Sequence, residues 1–198
     1  KYARVLARTE KFDCKFLKLD GDVIKKGDVL AILEGKASIL LSSERTFLNM
    51  LQHASGIATM ANKFAKLMEG SGVVLLDTRK TRPQLRDFEK YASRVGGAIN
   101  HRLGLDDCLM LKDTHLRTID NLEEFIKKAR KRISWITKIE IECESLDQVK
   151  EAMHAGGDII MCDNMTPTLI KEVVTIKNIS IIKTTSSIGV KLISVSSL

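Results

Sequence analysis

Four times after Gly70, a short apolar run of this chain ends abruptly in polar or charged residues. Val73–Leu76 leads into Asp77, Arg79 and Lys80, and 108–111 into Lys112 and Asp113. The run 138–141 leads into Glu142 and Glu144, and Ile159–Cys162 into Asp163 and Asn164. Between the runs lie stretches of helical apolar spacing, at 83–94, 122–132, 146–155 and 168–174. Strands that alternate with amphipathic helices form parallel sheets, because a parallel neighbour is reached only through a crossover. Charge gathered at the C-terminal ends of successive strands marks the rim of an α/β barrel, the one place where several strands can aim side chains at a single point.

The stretch before this pattern reads differently. Through about Leu41, turn signals at Asp20-Gly21, Lys26-Gly27 and Glu34-Gly35 separate short β-branched runs and predict a small antiparallel sheet. From Ser42 or Ser43, an N-cap candidate, apolar residues recur at helical spacing from Phe47 to Leu67, with Gly56 expected to mark a break or a tight contact. The division expected is a smaller N-terminal domain over 1–47 and a barrel domain over 48–198, both incomplete. Strands are also expected at 179–183 and 192–195. The roughly eight residues between them are too few for a parallel crossover of a dozen or more, so either the two pair antiparallel or residues are absent. Missing segments are expected near 14–15, 178–179 and 188–189, and the opening at Lys1 rather than Met predicts that the natural N-terminus is missing.

Of the 198 residues, 44% are hydrophobic and 29% charged, ordinary values for a globular protein. No apolar run approaches the roughly 20 residues of a membrane helix, so no membrane partner is expected. The net charge of +7 calls for an anionic partner. With 5% aromatic residues there is little material for stacking bases, which favours small anions over nucleic acid. Arg82, Arg86, Lys90 and Arg94 fall at i,i+4 steps and read as a solvated helix face, diluted by Asp87 and Glu89. The four cysteines form no CxxC pair and read as free thiols, three of them beside strands, in a reducing cytoplasm. His53, His115 and His154 show no convergent ligand spacing, so a zinc site is not expected.

In order along the chain, SERTFLNMLQHASGIAT, LLDTRKTRPQLRDFEKYA, GGAINHRLGLDDCLMLKDTHL, IEIECES and IIMCDN closely resemble the quinolinate phosphoribosyltransferases, also called carboxylating nicotinate-nucleotide pyrophosphorylases. The match runs from about Asp20 to Asn164. The resemblance implies an incomplete α/β barrel with a smaller N-terminal α/β sandwich domain, assembled as a homodimer or higher oligomer. It implies transfer of phosphoribose from phosphoribosyl pyrophosphate to quinolinate, giving nicotinate mononucleotide, pyrophosphate and CO2 with Mg2+. By the same resemblance, Arg45 crosses to the neighbouring subunit's site. Thr78, Arg79, Lys80, His101, Arg102 and Lys112 line the pocket for quinolinate and phosphates. Glu142 and Asp163 meet the ribose hydroxyls and the metal, and Lys80, Glu142 and Asp163 are the catalytic candidates. Two places depart from the family: Lys183-Thr184-Thr185-Ser186-Ser187 stands where Glu-Ala-Ser-Gly is usual, and Val195-Ser196-Ser197-Leu198 where Val-Gly-Ala-Leu is. Serines there put the 5′-phosphate site in question, because glycines let backbone N–H groups approach a phosphate.

The residue types suit that chemistry. Arg grips carboxylates with two parallel charge-assisted bonds, and Lys supplies a compact charge for phosphate oxygens. Glu140, Glu142 and Glu144 share one strand face; three inward acids would repel, and Glu142 alone is taken as functional. The competing readings are a barrel that binds anions or nucleic acid without catalysis, and a related transferase acting on another base.

Overall fold

The computed structural model describes residues 1–176 in full, and the backbone of the strands Ser180–Thr184 and Lys191–Ser194. Its first element is a helix, α1 (Tyr2–Glu10), where strand and turn character was expected. Ala3 and Ala7 are buried one turn apart, with Leu6 packed beside them, a stripe too narrow to stand out among basic residues. Lys11 ends the helix in the left-handed conformation (φ 61°), which turns Phe12 into a small core with Phe47. Strands β1 (Asp13–Phe16) and β2 (Ala31–Glu34) pair antiparallel, Asp13 opposite Glu34, as the turn signals predict. β1 runs without interruption through Cys14–Lys15.

Helix α2 (Ala37–Leu67) begins five residues before the expected N-cap and continues for 31 residues, about 46 Å. Ser42 and Ser43 lie inside it: the Ser42 hydroxyl donates back to the Ile39 carbonyl at 2.9 Å, and Ser43 is buried. Gly56 neither breaks the helix nor makes a close contact, since a Cβ there would meet nothing within 4 Å. The glycine that packing does require is Gly96, where a Cβ would collide with the Ala58 carbonyl and the Ala61 side chain.

The main sheet is built from β3 (Val73–Leu76), β4 (Leu109–Leu111), β5 (Ile139–Cys143), β6 (Ile159–Cys162), β7 (Ser180–Thr184) and β8 (Lys191–Ser194). Helices α3 (Arg86–Val95), α4 (Asp113–Leu116), α5 (Leu122–Arg130), α6 (Leu146–His154) and α7 (Pro167–Thr175) alternate with them. The strand order is β3-β8-β7-β6-β5-β4, with β4 through β7 parallel. Of the two alternatives for the last strands, the structure takes the antiparallel one: Ile181 faces Ser194, and β8 also pairs antiparallel with β3. Positions 178–179 and 188–189 lie outside the described residues.

Alternation along the strands sorts the core into two layers. Leu111, Ile139, Ile141, Cys143, Ile160 and Cys162 face outward against Leu122, Ile126, Val149, Ala152 and Val173 of the helices. The intervening residues face inward, where Leu76, Met110 and Met161 of three different strands meet in one cluster. Residues of the two edge strands, β3 and β4, touch only because the sheet curls. The fold is therefore an incomplete α/β barrel with a smaller N-terminal α/β unit. No helix among the described residues is long and apolar enough to cross a membrane.

None of the four cysteines forms a disulfide. Cys143 and Cys162 stand opposite each other on β5 and β6 with no exposed surface. Burial pushes their thiols up to about 12 and about 11. A thiol without access or thiolate is inert. Iodoacetamide at pH 8, read by peptide mass spectrometry, is expected to leave Cys143 and Cys162 unmodified in the native chain and to alkylate both in denaturant.

Candidate functional site

At the end of β3 the chain commits a carboxylate to the interior. Asp77 accepts from Lys90 Nζ and from the Ser93 hydroxyl at 3.1 Å, both on α3. It also accepts from the Asn100 amide at 2.5 Å and from the His101 backbone N–H at 2.8 Å. Lys90 is 2% exposed, so the reading of Arg82, Arg86, Lys90 and Arg94 as one solvated face is wrong at its centre. Arg82 precedes α3 altogether, and Arg86 is held by the Thr81 hydroxyl at 3.3 Å and the Leu103 carbonyl at 3.1 Å. Asp77 thus fixes where the next loop, with His101 and Arg102, lies against the end of β3.

Two carboxylates of β5 then meet basic side chains across the barrel mouth. His101 Nε2 lies 2.9 Å from Glu140 Oε2, and Lys112, just after β4, lies 3.2 Å from Glu142 Oε2. Glu140 and Glu142 both point inward and are both buried, whereas Glu144 lies exposed past the strand end. The crowding expected among these acids is relieved because each buried one faces a basic side chain of its own, His101 for Glu140 and Lys112 for Glu142. Glu140 thus shares the inward face with Glu142, where its two-residue spacing placed it.

Arg79 and Arg102 form the electropositive side. The Arg79 guanidinium is held below its usual range by burial first, then by the neighbouring charges of Arg102 and Arg86. Cations held this near one another suit an anionic ligand. Lys80 is exposed; with Thr78, whose hydroxyl accepts from the Lys80 backbone N–H at 3.0 Å, it lines a cavity of about 260 Å³ between α2, β3 and α3. Asp163 follows β6 directly, its backbone N–H donating to the Cys143 carbonyl at 2.9 Å, which sets it at the strand end next to β5. Arg45 lies on the exposed face of α2, roughly 24 Å along the helix from Ala61, the residue that packs against β3. The structure therefore brings together Arg79, His101, Arg102, Lys112 and Glu142 at the strand ends with Asp163, and places Arg45 apart from them. Ser187 and Ser196 lie outside the described residues.

No group of three or more His, Cys, Asp or Glu among the described residues could hold a metal. Two carboxylates on adjacent strand ends fit a hard cation that keeps waters and takes its remaining ligands from phosphate, as Mg2+ does.

Family models for the N-terminal and C-terminal domains of quinolinate phosphoribosyl transferase match residues 1–55 and 57–198. The probable carboxylating nicotinate-nucleotide pyrophosphorylase of Bacillus subtilis is 43% identical over 175 residues, covering 88% of this chain and 60% of that protein. That of Methanothermobacter thermautotrophicus is 39% identical over 171 residues, covering 85% and 61%. The crystal structure of NadC from Streptococcus pyogenes superposes with a TM-score of 0.87 at 37% identity, over 95% of this chain and 68% of that one. The nicotinate-nucleotide pyrophosphorylase structure from Francisella tularensis also reaches 0.87, at 33% identity, over 92% and 66%. The chain thus spans about 60% of the length of the first two relatives.

Removing one partner of a buried pair strands the other charge. Asp77→Ala is expected to cost about 3–5 kcal/mol in urea unfolding, and adding Lys90→Met to recover most of that loss.

Proposed function

The chain belongs to the quinolinate phosphoribosyl transferase family, and from that premise we propose that it transfers phosphoribose from phosphoribosyl pyrophosphate to the ring nitrogen of quinolinate. The products are nicotinate mononucleotide, pyrophosphate and CO2, in NAD biosynthesis. The observation that carries the reading is the like-charge crowding of Arg79 and Arg102 beside two inward carboxylates, one wall suited to a dianion and the facing wall to a sugar.

Arg79 and Arg102 take the two carboxylates of quinolinate through forked, charge-assisted bonds. His101, immobilised at ring and backbone, closes the same side. Lys112, still 43% exposed at its side chain, reaches phosphate oxygens from above its partner Glu142. Departure of pyrophosphate leaves positive charge on the ribose ring. Glu142 and Asp163 stabilise that charge or hold the ribose hydroxyls, and no covalent nucleophile is needed. Lys80 and Thr78 meet substrate from the neighbouring cavity. Once the nitrogen is ribosylated, the pyridinium is the electron sink for loss of the adjacent carboxylate. What the protein supplies there is orientation and exclusion of water. Glu142 and Asp163 would hold Mg2+, which when bound neutralises charge on the leaving pyrophosphate.

Arg45, exposed and remote within its own chain, suits a role in the site of a second copy, so a homodimer or larger assembly is part of the proposal. The four unbridged cysteines suit a reducing, cytoplasmic setting.

The chain, incubated with quinolinate, phosphoribosyl pyrophosphate and Mg2+, is expected to release pyrophosphate and CO2 in equal amounts. Turnover of nicotinate with none of quinolinate would refute the carboxylating assignment. Arg79→Ala is expected to lower kcat/KM by about 10²–10³. The same change should leave the urea midpoint unchanged or slightly raised, since it relieves repulsion with Arg102 and Arg86. Near-normal turnover in that variant would remove Arg79 from the site.

A further inference from the structure

The loop that leaves β3 for α3 carries Arg79 and Lys80, and its two ends are held differently. At the start, Asp77 is bound to α3 and to the His101 backbone. At the far end, the Arg82 backbone N–H donates to Glu89 Oε2 of α3 at 3.2 Å. Just past that bond the chain turns tightly, the Leu85 N–H donating to the Arg82 carbonyl at 3.1 Å. Gln84, inside the turn, is in the left-handed conformation at φ 63°. Such a turn favours glycine there, and a residue with a side chain persists where its surroundings over-determine the backbone.

Those surroundings reach in from α2. His53 Nε2 shares a hydrogen bond of 2.8 Å with Glu89 Oε1, the carboxyl oxygen that the Arg82 backbone leaves open. The Arg82 guanidinium folds back on the same ring, Nη1 lying 3.0 Å from Nδ1 and 3.2 Å from Nε2. The ring also stacks on Phe88 of α3, with centroids 6.0 Å apart and planes 29° from parallel. One imidazole on a separate helix thus meets both the Arg82 side chain and the carboxyl group that holds the Arg82 backbone. The side chains of His53 and Glu89 are 24% and 12% exposed, so water competes little for these bonds. Among the described residues, Ile57, one turn further along α2, lines the cavity beside Lys80, and His53 does not. We infer that His53 is a positioning residue: with Glu89 it clasps the end of this loop to α2, and so fixes Lys80 at the cavity. Lys80 stands two residues from Arg82, whereas Arg79 stands two residues from the Asp77 anchor, so loss of the clasp falls on Lys80. The phosphate-bearing substrate that Lys80 then meets rests on the phosphoribosyl-transfer reading; the clasp does not.

Amide hydrogen exchange of the ligand-free chain, read residue by residue by NMR, reports on the clasp without any substrate. In His53→Leu the Arg82 amide is expected to exchange about tenfold faster, the worth of one hydrogen bond, while the β5 amides keep their rates. An unchanged Arg82 amide overturns the inference. Equal acceleration in β5 also overturns it, because His53 would then serve the fold as a whole. His53→Gln, whose amide both donates and accepts, should restore slow exchange at Arg82; failure to do so would mean that bulk rather than bonding matters, against the proposal. In turnover assays, His53→Leu should raise the KM for phosphoribosyl pyrophosphate about tenfold and leave that for quinolinate within about twofold. An unchanged KM for phosphoribosyl pyrophosphate would remove the positioning role. In a Glu89→Ala background, His53→Leu should cost nothing further; a second loss of the same size would show His53 acting by another route and would sink the proposal. If the chain turns over no quinolinate, the function proposed above fails, and the exchange rates still decide the clasp.

Discussion

The buried contact between Asp77 and Lys90 is the constraint on which the rest of the barrel mouth depends. Its four donors come from separate places in the chain: two from α3, one from the Asn100 side chain and one from the His101 backbone. A buried ion pair gives little net stability, because desolvation consumes most of the Coulombic gain. What it does provide is uniqueness. Asp77 ties the loop after α3 to the end of β3, and so brings Arg102 near enough to Arg79 for their charges to act on each other. The Arg79–Arg102 repulsion, unfavourable in itself, persists because both residues are held by backbone that this hub has already fixed.

The same logic of inward polar groups with dedicated partners continues across the sheet. β5 sends two carboxylates into the barrel, and each meets a basic side chain arriving from a different segment of the chain. Met110 and Met161 fill the space around them, so the pairs are surrounded by apolar surface that strengthens each interaction and would penalise its loss. The outer layer carries the stability. Ile139, Ile141, Ile160, Val149 and Val173 are wholly buried, and each is worth roughly 1.5–3 kcal/mol of transfer free energy.

Much of this was legible in residue order, for a physical reason. A buried parallel strand must be apolar, and its exit into a site must be polar, so the switch between them is abrupt; Val73–Leu76 and Ile159–Cys162 fall where that switch predicts. The short spacing before the final strand likewise left an antiparallel return as one of two possibilities, and that is what forms. Three features were hidden. Helix α1 buries its alanines too sparsely to announce a helix. Lys90 stands in a basic i,i+4 row and reads as solvated, because its counter-charge lies 13 residues away across a turn. Glu140 looks redundant beside Glu142 until the separate partners of the two are seen. Each miss involves a tertiary partner that local periodicity cannot register.

Helix α2 runs through both structural units, its first half packing with Phe12 and Leu33 and its second with Leu75 and Ala98. A rod of 31 residues without a kink bends little, and Gly56, its natural weak point, keeps full helical geometry. The N-terminal sheet and the barrel are therefore joined by a lever rather than a linker. A torque applied to the small sheet by anything that seizes it is carried along this helix to the strand that begins the charged rim.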